Sequence, residues 1–302
     1  MPETEKHPLY GVVLILFALF FFAGLDATAK HLAQTFALPL LVWARYTFHC
    51  LLMVIFLAPS MRLKLVKTGK PVTQVFRALM LVGVSLLSLA AFRLMPLAET
   101  TAILFVTPLL VALLSGRFLG EKVGIKRWLA VLAGFAGALL VARPGGAMTG
   151  LGLIFSLAAA LCYSIYQIQT RQLSASENTF TMLFYTALTG TVVLTLALPW
   201  FWRGPWPSPL QALQIASLGV YGGTGHYLLT RAFRHAPAST LSPMMYAQLI
   251  WATLLGWLIF GQLPDGLSML GMAVIAGSGL AIALIERRPR VLESTGAIRE
   301  SR

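Results

Sequence analysis

Apolar and polar residues follow one another along the chain in blocks, with long apolar stretches separated by short polar connections. A helix needs about 20 apolar residues to cross a hydrocarbon core of roughly 30 Å. Ten stretches meet this length, at about 9–29, 38–58, 74–93, 97–117, 127–143, 150–170, 179–199, 211–231, 237–258 and 266–285. The pattern therefore predicts an all-α integral membrane protein with ten transmembrane helices.

The second half of the chain repeats the first at a constant shift of 141 residues, without a gap over more than a hundred positions. The recurring residues include Gly11 and Gly152, Leu32 and Leu173, Arg93 and Arg234, Pro96 and Pro237, and Gly120 and Gly261. Each half, 9–143 and 150–286, carries five predicted helices. Because five is odd, the second copy enters the membrane from the opposite side. The fold is therefore predicted as two inverted five-helix repeats, an arrangement typical of transporters.

Composition and charge agree with a membrane environment. Apolar residues make up 58% of the chain, charged residues 11%, and the mean hydropathy is +0.79. The net charge of +13 is unevenly placed: 18 of the 23 Lys and Arg residues, Arg77 among them, fall on the side of the predicted amino terminus, against four on the other side. By the positive-inside rule, both termini and the tail 287–302 are predicted to be cytoplasmic, in a bacterial inner membrane. The charge sets orientation and does not indicate a nucleic-acid partner.

The few ionisable residues inside the predicted helices are functional candidates, because such a group costs roughly 2.5–3.5 kcal/mol or more in hydrocarbon. Arg45 lies in the second span, and His49 is one turn further on the same face. The guanidinium fits a substrate carboxylate; alternatively, Arg45 bonds helix ends or an internal carboxylate and His49 packs in the core. Asp26 and Glu99 are candidates for proton coupling. Asp26 can also pair with Lys30 along its helix, or both can line the mouth of a cavity.

Polar and aromatic residues in two later spans predict the wall of a solute-binding cavity. They are Tyr163, Tyr166 and Gln167 in the sixth span, and Tyr246, Gln248 and Trp251 in the ninth span. A face of tyrosines and amides is costly to bury in an apolar core, which favours cavity lining over packing. We therefore expect these six residues, with Arg45 and His49, to bind substrate.

Prolines and glycines mark helices that bend or pack closely. Pro108 and Pro243 interrupt the fourth and ninth spans, and the carbonyls that they free can coordinate a ligand or produce a static kink. The eighth span is rich in small residues, which let helix backbones approach each other. These residues are Gly219, Gly222, Gly223 and Gly225.

Several residues form a pattern that recurs in both halves. The first half holds Arg45, the run AFRLMPLAE at 91–99, Pro108, Gly120-Glu121, Gly134 and Gly137. The second half holds AFRHAPAS at 232–239, Gly261-Gln262, and Gly277 with Gly279, and it departs from the pattern at Leu249 and Gln262. This pattern resembles the drug/metabolite transporter superfamily, and within it the proteins with paired EamA domains. The resemblance implies ten helices as two inverted repeats and the transport of a small metabolite.

The sequence favours a secondary transporter that exports a small carboxylate-bearing, amino-acid-like metabolite, such as an amino acid or an opine-type metallophore. Basic side chains outnumber Asp26 and Glu99 in or near the spans, and many bacterial relatives of the resembled family are exporters. Uptake of a vitamin or nucleoside-like cofactor is the alternative. An intramembrane enzyme is disfavoured, because neither GxSxG nor HExxH occurs and Asp26 and Asp265 are the only aspartates. No cofactor or metal site is predicted, and the expected partners are the solute and the bilayer.

Overall fold

The computed structural model describes residues 8–107, 109–111, 114, 125–141, 149–174, 176–202, 205–235, 242–278 and 280–281. Within these residues the chain forms helices joined by short connections, and no β-strand occurs. The fold is therefore all-α in the part of the chain that can be described.

The helices follow the predicted spans in order. Those of the first half are α1 (Pro8–Leu32), α2 (Leu38–Met61), α3 (Pro71–Leu94), α4 (Leu97–Leu104) and α5 (Ile125–Val141). Those of the second half are α6 (Gly150–Ser174), α7 (Thr179–Phe201), α8 (Pro209–His235), α9 (Ala247–Phe260) and α10 (Gly266–Ser278). Short 3₁₀ helices cover Arg62–Leu65 and Ser242–Tyr246. Parts of the fourth, fifth, ninth and tenth predicted spans lie outside the described residues.

Five helices, α1, α2, α3, α6 and α7, are long and apolar enough to cross a membrane. Shorter apolar helices cover Leu97–Val111, Leu132–Val141, Met244–Phe260 and Gly266–Ser278, and α8 is 27 residues long. Large apolar side chains cover the outside of the bundle; Phe56 is 73% exposed and Ile154 is 62% exposed. Extended apolar surface of this kind fits lipid and not water. The chain is thus a multi-pass membrane protein.

Local sequence fixes several helix ends. Proline occupies the first turn of α2 and α3, where its missing N–H costs nothing. Asn178 caps α7, because its side-chain oxygen accepts a hydrogen bond from the Phe180 backbone N–H at 2.9 Å. Gly261 ends α9 with a φ of +64°, a left-handed conformation that glycine adopts without strain.

The most extensive helix contacts run between the halves and follow a symmetric scheme. The contact of α1 with α8 corresponds to that of α6 with α3, and the contact of α2 with α8 corresponds to that of α7 with α3. Likewise, α1 contacts α9 as α6 contacts α4. Two further contacts, α2 with α7 and α4 with α9, each join a helix of the first half to its equivalent in the second half. The two halves are therefore interlocked and do not form separate bundles.

Helix ends gather at two opposite ends of the bundle. At one end, Lys30 Nζ donates to the carbonyl of Phe92 at 2.8 Å and lies over the Phe260 ring. At the other end, the Thr68 hydroxyl donates to Glu177 at 2.7 Å. We call these the Lys30 end and the Glu177 end. Helix α2 begins near the Lys30 end, just after α1 finishes, and α7 begins near the Glu177 end.

Glycine permits the closest helix crossings. A Cβ atom at Gly137 of α5 would lie 2.8 Å from the carbonyl oxygen of Gly271 on α10. A Cβ atom at Gly219 of α8 would meet Phe48 and the backbone nitrogen of His49 on α2. The glycine-rich eighth span predicted a close approach of this kind.

Candidate functional site

A polar cluster lies between the halves, and Arg45 on α2 is at its centre. Its Nη1 donates to the Ser85 hydroxyl of α3 at 3.3 Å, and its guanidinium carbon is 5.8 Å from the centroid of the Tyr46 ring. On the α8 side, a Cβ atom at Gly222 would lie 3.7 Å from Arg45 Nε, so this glycine leaves space beside the guanidinium. Arg45 is half-buried. Within the part of the chain that the structure describes, this one long hydrogen bond leaves most of the Arg45 N–H donors available to a ligand.

An acid and an amide complete the cluster on the opposite side. Gln248 of α9 donates its Nε2 hydrogen to Asp26 Oδ2 of α1 at 3.4 Å. The charge of Arg45 also acts on Asp26 across the cluster. Both Asp26 and Gln248 are half-buried. Sequence analysis predicted each residue separately, and the structure brings them together from α1, α2 and α9.

The sixth helix supplies an aromatic wall to the same cluster. The rings of Tyr163 and Tyr166 are stacked, with centroids 5.8 Å apart and planes 14° apart. The Tyr163 hydroxyl is within hydrogen-bonding reach of Gln167, and the charges of Arg45 and Asp26 act on it. All three predicted residues of α6 therefore belong to the cluster. Their spacing of three and four residues places them on one helix face.

Two histidines stack beside Arg45. His49 of α2 and His226 of α8 have ring centroids 5.9 Å apart and planes 7° apart. His49 is buried, and the positive charge of Arg45 acts on both rings. Among the described residues, no group of three His, Cys, Asp or Glu side chains comes together as a metal site. The pair therefore extends the polar cluster beside Arg45.

Two predicted binding residues of the ninth span are placed mainly by packing. Tyr246 ends the 3₁₀ helix Ser242–Tyr246, and its ring centroid lies 5.0 Å from that of Phe105. Trp251 meets the exposed Phe20 edge-on at 5.1 Å and packs with Ile15. Their described contacts are aromatic and apolar, and the structure does not bring them into the hydrogen-bonded cluster.

Lys30 does not form the pair with Asp26 that was one of the two alternatives for it; the other alternative, lining the mouth of a cavity, stays a prediction. Its ammonium donates to the backbone carbonyls of Phe92, at 2.8 Å, and Met95, and it is 6% exposed. These carbonyls lie at the end of α3, where helix geometry leaves them without a partner. Lys30 therefore caps a neighbouring helix, while the described hydrogen bond of Asp26 comes from Gln248. The i, i+4 clasp is not formed because the long lysine side chain finds better acceptors across the helix interface.

Glu99 lies near this cap and apart from the central cluster. It occupies the first turn of α4, where an acid is favoured by the helix dipole, and it is 3% exposed. The charges of Lys30 and Asp265 act on it. The two predicted coupling acids are thus separated: Asp26 lies within the cluster and Glu99 lies at the Lys30 end.

Arg77 adjoins the cluster, and sequence analysis did not identify it. The sequence places it among the charges of the cytoplasmic side, which stays a prediction; the structure adds that this α3 residue is buried, with 1% of its surface exposed. Its guanidinium carbon lies 5.1 Å from the centroid of the Tyr166 ring, and it donates to the Thr186 hydroxyl at 2.9 Å. The available signal was its position inside the third predicted span.

The proline in the fourth span has a visible effect on the preceding turn. Pro108 itself lies outside the described residues, but a proline has no N–H to offer the carbonyl four residues earlier, that of Leu104. The Thr107 hydroxyl donates to that carbonyl at 2.6 Å. The Thr107 carbonyl in turn accepts from the Ser164 hydroxyl of α6 at 3.4 Å. The freed backbone group is therefore satisfied within the helix, and α4 is joined to α6.

Several characterised proteins are similar to this chain over nearly its whole length. The riboflavin transporter of Vibrio cholerae is 31% identical over 289 residues, covering 94% of this chain and 95% of that protein. The S-adenosylmethionine uptake transporter of Rickettsia bellii is 25% identical, covering 95% of this chain and 98% of the relative. The pseudopaline exporter CntI of Pseudomonas aeruginosa is 26% identical, covering 90% and 95%.

A solved crystal structure of another protein has the same fold. It superimposes with a TM-score of 0.66, covers 92% of this chain and 98% of its own, and is 22% identical in sequence. The EamA-like transporter family matches residues 9–143 and 150–284, which together make up most of the chain. The chain therefore belongs to the EamA-like transporter family.

Proposed function

We propose that this protein is a secondary transporter of the bacterial inner membrane that exports a small solute carrying an amino-acid-like head group. The observation that supports this is the placement of a cation and an anion, Arg45 and Asp26, in one half-buried cluster between the halves. A zwitterionic head group needs both charges: the guanidinium for its carboxylate, and the carboxylate of Asp26 for its ammonium group. The Gln248 amide can hold either.

The proposed architecture is ten spans in two oppositely inserted halves, 9–143 and 150–286, with both termini in the cytoplasm. The symmetric contact scheme supports it, because each major contact has a counterpart when the halves are exchanged. In such a fold the halves can exchange conformations and open a central site to one side and then to the other. The cluster is suitably placed, since α1 and α2 of one half and α6 and α9 of the other contribute to it.

The names of the relatives fit a solute that combines a head group with a larger body. S-adenosylmethionine and an opine such as pseudopaline both carry amino-acid parts, and the relatives that transport them cover most of this chain. Here the stacked pair Tyr163 and Tyr166 offers a flat apolar face next to the charges. We propose that the head group binds between Arg45 and Asp26 and that the body of the solute lies along this aromatic wall.

The proposal is tested by comparing metabolites inside and outside cells that lack the gene, carry it, or overexpress it. We expect one zwitterionic metabolite to accumulate inside the deletion strain and to be depleted in its medium, with reversal on complementation. Equal metabolite profiles in all three strains, under conditions where the protein is detected in the membrane, would contradict a transport function.

Uptake of a vitamin or nucleoside-like solute is the second candidate. The stacked tyrosines favour it, because they can hold a planar heterocycle, and so do the names of the riboflavin and S-adenosylmethionine transporters. The same strains distinguish the two directions. Uptake would leave the solute in the medium of the deletion strain, and an auxotroph would lose growth without the gene.

Proton coupling is proposed to run through Asp26. A single carboxylate that holds either a proton or the ammonium group of the solute exchanges one for the other. An inward proton gradient then drives the solute outward. Asp26 suits this role because it lies in the cluster with Gln248 and Arg45. Glu99 lies instead in the first turn of α4, where its carboxylate interacts with the helix dipole.

Proteoliposomes are supplied with the identified solute in the outside buffer, and its accumulation inside is followed under a pH gradient. Asp26→Asn should abolish this accumulation. Glu99→Gln is the matched control, since it also replaces a carboxyl by an amide, and it should keep gradient-driven transport. The measurement is solute accumulation with and without an imposed pH gradient. If the Asp26→Asn protein still concentrates solute against its gradient, Asp26 is not the coupling residue. If only the Glu99→Gln protein loses gradient-driven transport, the coupling residue is Glu99 instead.

A further inference from the structure

Arg77 is a buried cation that the described residues bond but do not neutralise. Its described hydrogen-bond partners are all neutral: the Thr170 hydroxyl at 3.3 Å, the Gln74 amide oxygen at 3.3 Å, the Thr186 hydroxyl at 2.9 Å, the Met182 carbonyl and the Tyr166 side chain. The side chain is 1% exposed. Burying a charge without an opposite charge costs several kcal/mol, so stability alone does not explain a guanidinium here.

Two buried donors at this position have no acceptor. They are Nε of Arg77 and Nε2 of Gln74, and Gln74 is fully buried. Native proteins rarely leave buried donors unpaired, and such groups call for a functional explanation. An anion that accepts hydrogen bonds would pair with both free donors and would also neutralise the Arg77 guanidinium.

The internal repeat relates this position to the Arg45 site. Thr186, which accepts from Arg77, is the counterpart of Arg45 at the shift of 141 residues. Arg45 lies seven residues after Leu38, where α2 begins at the Lys30 end. Thr186 lies seven residues after Thr179, where α7 begins at the Glu177 end. At 1.5 Å per residue, the two positions are each about 10 Å from their own ends of the bundle.

At the position equivalent to Arg45, the second half therefore has a threonine, and the guanidinium beside it comes from α3 of the first half. The stacked pair Tyr163 and Tyr166 connects the two sites, because the charge of Arg45 acts on Tyr163 and Arg77 lies over the Tyr166 ring. The two guanidinium groups therefore adjoin different rings of the aromatic wall, and each lies about 10 Å from its own end of the bundle.

We infer that Arg77 forms a second anion-binding site, which takes the carboxylate of the solute when the bundle opens at the Glu177 end. This inference deepens the proposed transport function and depends on it for the identity of the ligand. In the structure the site is closed, and the Arg77 guanidinium donates hydrogen bonds to the hydroxyls of Thr170 and Thr186. Opening separates α6 and α7 from α3, and a carboxylate replaces the hydroxyls. Arg45 therefore binds the solute when the bundle is open at the Lys30 end, and Arg77 binds it when the bundle is open at the Glu177 end.

The test uses charged thiol reagents and needs no knowledge of the solute. In full-length protein with Cys50→Ala and Cys162→Ala, a single cysteine is introduced as Thr170→Cys beside the guanidinium, or as Ser60→Cys on the exposed end of α2 as reference. Modification rates are measured with anionic 2-sulfonatoethyl methanethiosulfonate and with its cationic trimethylammonium analogue, each of which forms a mixed disulfide with the cysteine and releases methanesulfinate. The frequency of opening affects both reagents equally, so the ratio of their rates reports the local charge.

We expect the anionic-to-cationic ratio at Thr170→Cys to exceed that at Ser60→Cys by at least about tenfold, because a nearby guanidinium attracts one reagent and repels the other. Adding Arg77→Gln should remove the preference, Arg77→Lys should retain it, and Arg62→Gln, an exposed arginine at the same end, should leave it unchanged. The comparison with Ser60→Cys needs no arginine variant, so it stands even if Arg77→Gln fails to fold.

Equal ratios at the two cysteines, or a preference that survives Arg77→Gln, would overturn the anion site. Absence of reaction at Thr170→Cys with both reagents would overturn it as well, because the position would then never open to solutes. These outcomes are independent of the metabolite comparison. A charge preference without any transported metabolite would keep the site and reject the proposed function, and the reverse result would reject the site alone.

Discussion

Replacement of Arg45 by glutamine should reduce transport at least about a hundredfold while the amount of folded protein in the membrane stays unchanged. A hundredfold loss corresponds to about 2.7 kcal/mol, within the roughly 2–5 kcal/mol lost when one partner of a buried charge pair is truncated. Folding should be spared because the described structure holds Arg45 by one hydrogen bond of 3.3 Å, to Ser85. Glutamine keeps the polar stem and loses the charge that a carboxylate needs.

The measurement is complementation of the metabolite difference in a deletion strain, with abundance followed by detergent size-exclusion of a fluorescent fusion. Arg93→Gln is the matched control, since Arg93 is an exposed arginine near the end of α3, and it should transport normally. Arg45→Lys should retain part of the activity, because lysine keeps the charge without the planar fork. A parallel loss of folded protein and transport in Arg45→Gln would instead make this arginine structural.

The positions of the helices could be predicted from sequence because hydropathy is summed over about 20 residues for each span. Every described α-helix overlaps a predicted span, and the start of α2 at Leu38 agrees with the prediction. The cluster of Arg45, Asp26 and Gln248 was also accessible, since polar groups in apolar spans are few. Their mutual contact was not, because hydropathy contains no information about which helices are neighbours.

Lys30 and Arg77 have partners on other helices that the sequence alone does not reveal. Both lie near the end of a span and have long flexible side chains, so their partners depend on which helix end comes within reach. Spacing along α1 pointed Lys30 towards Asp26, whereas the free carbonyls of α3 bind it. Arg77 was counted with the basic loops, although its partners come from α6 and α7, more than 90 positions away. Only the packed structure brings them together.

The ninth span shows the same limit, and the substrate-binding role of Tyr246, Gln248 and Trp251 stays a prediction. Helical spacing assumes 3.6 residues per turn, but the segment Ser242–Tyr246 is a 3₁₀ helix with a tighter turn. The ring centroids of Tyr246 and Phe105 lie 5.0 Å apart. Gln248 lies within the regular helix α9 and donates to Asp26, a contact that its position in the sequence did not predict.

Gly219→Ala should destabilise the folded protein, whereas the same change one turn away, Gly222→Ala, should not. At Gly219 the new Cβ would meet the Phe48 Cβ and lie 2.8 Å from the His49 backbone nitrogen, so two helices must separate. Overpacking of this kind costs about 1–3 kcal/mol, and a backbone atom cannot rotate away as a side chain can. At Gly222 the nearest atom is Arg45 Nε at 3.7 Å, an ordinary contact. Alanine there should be neutral, or stabilising by up to about 1 kcal/mol, because glycine is the poorer helix former.

The two variants share the substitution, the helix and the gain in helix propensity, so the difference between them isolates the crossing of α2 and α8. Thermal unfolding in detergent, followed by size-exclusion, should place Gly219→Ala below the wild type and Gly222→Ala at or above it. Separation of α2 from α8 also moves Arg45 and His49, so Gly219→Ala should lose transport per folded molecule as well. Equal unfolding temperatures for the two variants would show that α2 and α8 are not held at the distance that positions the Arg45 cluster.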